Sequence, residues 1–266
     1  MAITAEVICD SVTKEGDRLT TMELEFPRFI LAEFNTHRAF SRNSASSRAI
    51  PVAKIIQRVV DDPYVPQFWG ANKSGMQAKT EEITNVTAAR VNWLHARDEA
   101  VERVHNLQEL GLHKQWANRL LEPFMWHKVI VTSHEWENFF SQRCSEFAQP
   151  EMAKLAYRMH DALADSKPRE LLLGQWHLPY VQKDEYAEAT SHHWLAQISA
   201  ARCARVSYLN HNGVRDHAND EALFLKLTQG KHASPMEHPA CVAGSVVRGD
   251  RNFGPAWLQF RQILEL

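Results

Sequence analysis

The residues best suited to bind an anion lie close together in one stretch, from His37 to Arg48. Three arginines, one histidine and several serines fall within these twelve residues. A guanidinium group pairs with phosphate through two parallel hydrogen bonds, and serine hydroxyls and loop N–H groups can complete such a cradle. The stretch therefore predicts a phosphate-binding loop. On composition alone, an ordinary solvated polar loop is an equally good interpretation.

A second segment places an amide, a guanidinium and a thiol close together. Asn138 begins the run, Arg143 ends it and Cys144 follows directly. On residue type alone, a surface ion pair between Arg143 and Glu146 is the simpler interpretation, and such a pair contributes little to stability. A thiol beside an arginine can be activated as a nucleophile. A cysteine-dependent enzyme using Cys144 is therefore one hypothesis, although a buried structural cysteine is the favoured interpretation.

A third segment contains residue types that can ligate a metal. His232, Glu237 and His238 lie within seven residues, and two histidines with a carboxylate are a known zinc set. Pro235 lies between the two histidines, so the spacing favours a turn rather than one face of a helix. We therefore expect no metal site here.

The overall composition excludes several classes of protein. The chain has 266 residues, of which 44% are hydrophobic and 23% charged, as is ordinary for a globular protein with a sizeable core. The formal net charge is -2, so no general basic field would attract a nucleic acid. A non-catalytic nucleic-acid-binding protein that uses the arginine and serine loop is a disfavoured alternative. No stretch approaches 18 apolar residues, so no membrane span is expected.

The cysteines indicate a reducing compartment. Cys9, Cys144, Cys203 and Cys241 are far apart and form no CxxC pair, so neither a disulfide framework nor a structural zinc site is expected. The first ten residues lack a basic segment followed by an apolar run, which argues against a signal peptide. We therefore expect a cytoplasmic protein.

The elements that must position these groups can be predicted from periodicity. Residues 19–26 alternate between apolar and polar side chains, which predicts a half-buried strand, and Pro27 then starts a helix. Helices are predicted at about 81–110 and at 150–164, and Thr190 and Asn219 are the candidate caps of two more. Helices with a few strands indicate the α+β class. No GxGxxG or P-loop pattern is present, so a nucleotide would be held in another way.

The spacing within the first stretch resembles the signature of the flavin-dependent thymidylate synthases, Arg-His-Arg-x7-Ser continued as Ser-x-Asn-Glu-x-Ser-x-Arg-Tyr. The matching positions are His37, Arg38, Ser41, Asn43, Ser46 and Arg48. Thr36, Ser44 and Ala49 stand where that family has arginine, glutamate and tyrosine. The motif alone is moderately specific, and several matches in one register make a chance match improbable.

Two more segments are similar to the same family. Residues 138–143 and 148–151 resemble its Asn-Phe-Leu-Asn-Leu-Arg and Ala-Gln-x-Glu stretch, and Arg119 resembles the arginine of its Arg-x-x-Leu-Pro motif, with Glu122 in place of the leucine. Residues 204–208 and 232–238 resemble its Ala-Arg-Val-Ser-Phe and Gly-His-x-Ser/Thr-Pro-Phe-Glu-His motifs.

The order of these motifs is unusual. In the family the last two motifs come before the Arg-His-Arg signature, whereas here they follow it, so the sequence is typical of a circularly permuted member. A permutation preserves a site when the old termini lie close together. The resemblance implies a helix-rich α+β fold with a small, mostly antiparallel sheet. We expect a single domain over residues 1–266 with a helical insertion at about 50–110.

The resemblance also implies an activity: reductive methylation of dUMP at C5 to dTMP, with FAD as cofactor and methylenetetrahydrofolate and NADPH as co-substrates. By the same resemblance, the active site is shared between subunits of a homotetramer. Because Thr36 cannot supply the charge of the missing arginine, another C5 one-carbon modification such as hydroxymethylation, or an inactive paralogue, is the alternative.

The resemblance assigns roles to individual residues. The expected catalytic residues are Arg143 and Ser46. The expected substrate-binding residues are Ser46, Arg48, Arg119 and Arg143, with Arg143 beside the pyrimidine carbonyl. The expected FAD-binding residues are His37, Arg38, Asn43, Asn138, Ser207 and His232. Arg42 or Arg261 is the candidate to replace the arginine missing at position 36.

Overall fold

A computed structural model describes residues 2–75, 81–206, 215–243 and 253–265. Within these ranges the strands β1 to β8 are Thr4–Thr13, Arg18–Pro27, Ser41–Ser44, Trp126–Ser133, Arg169–Leu171, Trp176–His177, Ala240–Val242 and Trp257–Gln259. The α-helices α1 to α10 are Leu31–Phe34, Val52–Asp61, Val86–Glu109, Lys114–Ala117, Glu137–Arg143, Pro150–Asp165, Glu185–Glu188, His192–Arg205, His217–Gln229 and Phe260–Ile263. Short 3-10 helices are Arg28–Ile30, Asn118–Phe124 and Ser234–Glu237.

The larger sheet has five strands in the order β3-β4-β2-β1-β5. The pairs β1–β2, β2–β4 and β3–β4 are antiparallel, and only the short β1–β5 pair is parallel. The second sheet, β6-β7-β8, is antiparallel throughout its described strands. The expected α+β class with a small, mostly antiparallel sheet is therefore confirmed.

The predicted alternating strand is the centre of the larger sheet. In β2, the side chains of Met22, Leu24 and Phe26 are fully buried, whereas Glu23 and Glu25 on the other face are half-buried. The apolar face packs on α6, whose Leu155 and Met159 are also fully buried. Burial of one face fixes the register of the strand, because a slip by one residue would bring the glutamates into the core.

Two further apolar clusters lie around the helices. Residues of α2, α3 and the 114–124 helical segment form one apolar cluster, which includes Ile55, Val104 and Leu121. Residues of α8, α9, α10 and the 234–237 turn form another, which includes Leu195, Phe224 and Phe260. The second cluster places the two C-terminal motifs beside each other, because α8 leads to one and α9 to the other.

Helix ends differ from the predicted caps in two places. Ser191, not Thr190, caps α8, since its side chain accepts a hydrogen bond from the backbone N–H of Trp194. Asp216 caps α9, and Asn219 instead donates its backbone N–H to that cap. Both differences have one cause: serine and aspartate cap helices as well as the nearby residues do, and only the backbone geometry selects between them. Helix α3 begins at Val86, later than predicted, after an Asn85 cap.

Among the described residues, no helix has both the length and the apolar composition needed to cross a membrane.

Candidate functional site

An open cleft of about 500 Å³ lies where the C-terminal part of the chain packs on β3. Two hydrogen bonds of Asn43 make this junction: its Nδ2 donates to the Cys203 carbonyl at 2.9 Å, and its Oδ1 accepts from Ser234 Oγ at 3.3 Å. The described residues that line the cleft are Asn43, Ser44, Ser46, Arg48, Ala49, Gln115, Ala204, Leu227, His232, Ser234 and Pro235. Residues about 190 positions apart in sequence thus form one wall.

The charge of this cleft favours an anion. Arg48 is exposed and has no hydrogen-bond or ion-pair partner among the described residues. None of the lining residues named above is acidic, and Ser44, Ser46 and Ser234 contribute hydroxyl groups. A guanidinium that no carboxylate neutralises, beside several hydroxyl donors, is a suitable set for a phosphate group. The cleft volume lies within the range of small-molecule sites.

His232 takes its position in the cleft because a glycine precedes it. The ring lies so close to Gly230 that a Cβ at that position would stand 2.8 Å from His232 Cδ2 and 3.1 Å from Nε2. The His232 backbone N–H donates to the Leu227 carbonyl at 2.9 Å, which ends the α9 segment. The exposed ring is thus supported by the backbone of the helix end, and Gly230 is a residue whose part in the site the sequence did not reveal.

Arg143 lies in a separate cluster with Glu33 and His37. Its guanidinium forms an ion pair with Glu33, and its Nε donates to His37 Nε2 at 2.9 Å. The expected alternative partner, Glu146, is not the one found. Arg143 is half-buried, and it is absent from the described residues that line the cleft. Glu33 had no sequence signal of its own, because it precedes the signature and lies 110 residues from Arg143.

His37 is buried between Arg143 and an aromatic cluster. Its ring contacts Phe139 edge-on with centroids 4.8 Å apart, and its carbonyl accepts from Arg42 at 2.7 Å. Burial, followed by the positive charges of Arg143 and Arg42, lowers the pKa of His37 to about 4. The neutral ring that accepts from Arg143 through Nε2 carries its proton on Nδ1. In a single chain, His37 therefore orients Arg143 and does not face the cleft.

The other expected ligand residues lie outside the described cleft lining. Arg38 and Asn138 are exposed, and Asn138 Oδ1 accepts from Gln142 within α5 at 3.1 Å. Arg119 is about half-exposed and its Nη1 lies 3.4 Å from Glu122 Oε1. Their assignment to FAD and substrate stays a prediction, as does that of the residues inside the cleft.

Both arginines proposed to replace the one missing at position 36 already have partners among the described residues. Thr36 Oγ1 donates to the Glu33 carbonyl at 2.7 Å, which closes the turn after α1. Arg42 is turned toward the backbone carbonyls of residues 34 and 37, and burial lowers the pKa of its guanidinium. Arg261 Nη1 forms an ion pair with Glu237 at 2.9 Å.

Ser207, the remaining expected FAD ligand, lies outside the described residues. The helix that leads to it is held by a buried ion cluster in which Asp220 contacts Arg202 Nε at 3.0 Å and Arg205 Nη2 at 2.5 Å. Glu185 also pairs with Arg202 at 2.6 Å. These contacts join α8 to α9, so the two C-terminal motifs are positioned by the same network.

None of the cysteines is placed as a nucleophile. Burial raises the pKa of Cys144, of Cys203 and of Cys241, and raises that of Cys9 to about 12. The thiol, not the reactive thiolate, is therefore favoured at neutral pH. The raised pKa of Cys144, together with the ion pair of Arg143 with Glu33, argues against the hypothesis that Arg143 activates Cys144. All four cysteines are free.

The candidate metal ligands of the third segment point in different directions. His232 faces the cleft, Glu237 pairs with Arg261, and His238 is fully buried with its Nδ1 2.8 Å from Thr132 Oγ1. Over the described ranges, no group of three or more potential ligands converges on one point.

The sequence matches the family of the thymidylate synthase complementing protein over residues 19–169, which is more than half of the chain. The matched range contains the signature, Arg119 and Arg143, whereas His232 lies outside it. No curated protein matches the chain.

Three solved structures are similar at low identity. The UMP/dUMP methylase PolB from Streptomyces cacaoi bound with 5-Br dUMP is 16% identical, with a TM-score of 0.49 over 61% of this chain and 90% of that chain. The same enzyme bound with 5-Br UMP has a TM-score of 0.47 at 16% identity, over 61% and 89%. Thymidylate Synthase X (ThyX) from Helicobacter pylori with FAD and dUMP has a TM-score of 0.40 at 17% identity, over 55% and 67%.

Proposed function

Because the chain belongs to the thymidylate synthase complementing protein family, the flavin-dependent thymidylate synthases, we propose that it methylates dUMP at C5 to give dTMP. In this reaction C5 loses its proton and gains a carbon from methylenetetrahydrofolate, and NADPH supplies the two electrons that reduce the methylene group to methyl. FAD, when bound, carries those electrons.

One observation carries the proposal: Ser46, Arg48 and His232 line a single cleft that has an unpaired guanidinium and no acidic residue in its described lining. We assign the nucleotide phosphate to Ser46 and Arg48, and we propose Arg119, which lies outside the described cleft lining, as a further substrate-binding residue. A phosphate there would be held by charge-assisted hydrogen bonds, which fix the register of the base.

The chain's residues also fit an FAD site. His232 and the amide of Asn43 lie on the cleft wall, and Gly230 leaves the space in which the His232 ring sits. We propose that Asn43 and His232 contact the flavin, together with Ser207, Arg38, Asn138 and the His37 region. Burial raises the pKa of each of the four cysteines, which supports chemistry without a cysteine nucleophile at C6 of the base. All four cysteines are free thiols rather than disulfides, which fits a cytoplasmic location.

Arg143 is proposed to stabilise the negative charge that develops on the pyrimidine ring. In one chain it contacts Glu33 and His37 and does not line the described cleft. We therefore propose a homo-oligomer, with tetramer as the expected state, in which one subunit supplies Arg48 and a second subunit supplies Arg143 to the same nucleotide.

The proposed function is tested with purified protein by a visible spectrum and by a product assay. We expect a flavin band that shifts when dUMP is added, release of tritium from 5-tritiated dUMP, and dTMP as the product on chromatography. Arg90→Ala, an exposed arginine on α3 far from the signature in sequence, is the matched control for Arg48→Ala.

The outcomes separate the alternatives. Protein that takes up no FAD under oxidising or reducing conditions refutes the proposal. If tritium is released and the product is 5-hydroxymethyl-dUMP, the reaction is the alternative C5 modification and not methylation. A salt-dependent shift with single-stranded DNA in the absence of FAD binding would favour the nucleic-acid-binding alternative.

A further inference from the structure

The segment that carries Arg48 is held by three side chains of the neighbouring helical segment 114–124. Lys114 lies in α4, whereas Asn118 and Glu122 lie in the 3-10 helix that follows it. Each of them makes a hydrogen bond to residues 47–50. We call these three residues the clamp.

The bonds of the clamp are mainly to the backbone of the segment. Asn118 Nδ2 donates to the carbonyls of Ser47 at 2.7 Å and of Ile50 at 3.0 Å. Lys114 Nζ donates to the Ala49 carbonyl at 3.1 Å, and Ser47 Oγ donates to Glu122 Oε1 at 3.0 Å. The carbonyls on both sides of Arg48 are thus fixed, although its own side chain is unpartnered among the described residues.

Asn118 is the central member of the clamp. Its side chain is fully buried, next to the apolar residues Ala117 and Leu121. A buried amide that bonds two carbonyls of one turn holds the turn in a single conformation, because breaking those bonds leaves buried polar groups unsatisfied. A flexible loop would have to be ordered when an anion binds, and that ordering would weaken the binding.

We propose that the clamp residues are positioning residues for the nucleotide phosphate: they preset the backbone of residues 46–50 so that Ser46 and Arg48 face the cleft before the ligand arrives. The proposal rests on the proposed binding of phosphate by Ser46 and Arg48. It also explains Glu122, which stands where the related motif has leucine: its carboxylate holds Ser47 and lies 3.3 Å from Arg28.

The test uses Asn118→Asp, which keeps the shape but replaces the donor with an acceptor facing two carbonyls. We expect the KM for dUMP to rise about tenfold or more while kcat stays within about twofold, because the phosphate contacts weaken and the chemistry is untouched. Hydrogen exchange of the amides at 46–50 should become faster. The matched control is Asn92→Asp on α3, an exposed amide that also donates to a backbone carbonyl, at 2.8 Å, and it should behave as wild type.

Lys114→Met is the second variant, because it removes one bond, keeps most of the side chain and disturbs no fully buried group. It should raise the KM for dUMP by about threefold. If Asn118→Asp does not fold, the KM and the hydrogen exchange of Lys114→Met test the proposal by themselves. Faster exchange at 46–50 with an unchanged KM overturns the proposal, and so does a parallel loss of kcat, which would indicate a general structural role.

Failure of the proposed function can be distinguished from failure of the clamp proposal. If the wild-type protein binds no dUMP, the function is refuted, and the clamp is then judged with inorganic phosphate as the probe. Phosphate should slow exchange at 46–50 in the wild type, and about threefold more phosphate should be needed for the same protection in Lys114→Met. Absence of that protection in the wild type overturns the clamp as well.

Discussion

Arg48 and Arg143 are assigned to the same nucleotide, yet their surroundings are opposite. Arg48 is exposed in an open cleft and has no partner among the described residues. Arg143 is half-buried, paired with Glu33 and bonded to the neutral ring of His37. In the single chain the Arg48 guanidinium is available to a ligand, whereas the charge of Arg143 is already neutralised by Glu33.

This difference indicates a division of work. An arginine held in place through its backbone and free at its head group is suited to capture a phosphate from solution. An arginine whose guanidinium is oriented by a carboxylate and an imidazole is suited to a fixed task at short range, because its geometry is set beforehand. The first region should thus govern nucleotide affinity, and the second should govern the rate of the chemical step.

The largest expected effect is that of Arg143→Ala. Loss of the group that stabilises charge on the pyrimidine should lower kcat about 10²- to 10³-fold, as for other preorganised electrostatic groups, with little change in dUMP affinity. Single-turnover measurements with saturating dUMP check this. An unchanged kcat would contradict the division of work between the two arginines.

Arg48→Ala should act on affinity instead. Removal of a charge-assisted pair to phosphate should weaken dUMP binding about 10- to 100-fold, with the expected loss smaller at high salt. Isothermal calorimetry at two salt concentrations measures it, with Arg90→Ala as control. Equal losses in both variants would mean that the cleft contributes no specific phosphate contact.

Mixing the two variants, assayed at a dUMP concentration at which each alone has little activity, sharpens the comparison. If each site takes Arg48 and Arg143 from different subunits, random subunit exchange between Arg48→Ala and Arg143→Ala should restore about a quarter of the wild-type activity. The mixture is assayed after a cycle of mild dissociation and reassembly. No recovery, in a sample shown by mass spectrometry to contain mixed oligomers, would place both arginines in one subunit's site.

A smaller effect is expected from Gly230→Ala. The new methyl group would stand 2.8 Å from His232 Cδ2, so the His232 ring must rotate away from the helix end. We expect FAD affinity to fall about threefold to tenfold, as for loss of one hydrogen-bonding partner, with an unchanged melting temperature. Fluorescence titration with FAD measures this change. His232→Ala should lower the FAD affinity to the same extent as Gly230→Ala. A normal FAD affinity in both variants would show that His232 does not contact FAD.

The last prediction concerns stability, its dependence on pH and the second region. Because the pKa of folded His37 is lowered to about 4, below its ordinary value near 6.5, the unfolded chain binds the proton first. The stabilising contribution is therefore complete above about pH 6.5 and declines as the pH falls toward 4, by at most about 1.4 kcal/mol per pH unit.

Denaturant unfolding of wild type and His37→Gln between pH 7 and 4.5 checks this sign. The variant should have the shallower dependence on pH. The buried His177 and His238, whose pKa values burial lowers to about 3, should contribute equally to both proteins. A slope that is the same in both proteins would show that His37 is not the neutral acceptor of Arg143.

Local patterns in the sequence determined much of the fold. The alternation of residues 19–26 predicted β2, the apolar stripe from Pro150 predicted α6, and the polar helix-forming run predicted α3. These elements follow from periodicity, which is a property of neighbouring residues. The signature residues and the family were also accessible, because motif spacing is local, and the family match over residues 19–169 confirms that assignment.

The tertiary structure decided which of those residues meet. Only packing across 191 residues could place Ser234 against Asn43, and only the fold could choose Glu33 over Glu146 as the partner of Arg143. The sequence predicted Gly230 only as the end of α9, which is confirmed, and it gave no signal for the parts that Asn118 and Gly230 play in the site, because these lie in contacts with distant carbonyls or with a ring. The sequence thus specifies the reactive groups, and long-range packing specifies which of them share a cleft.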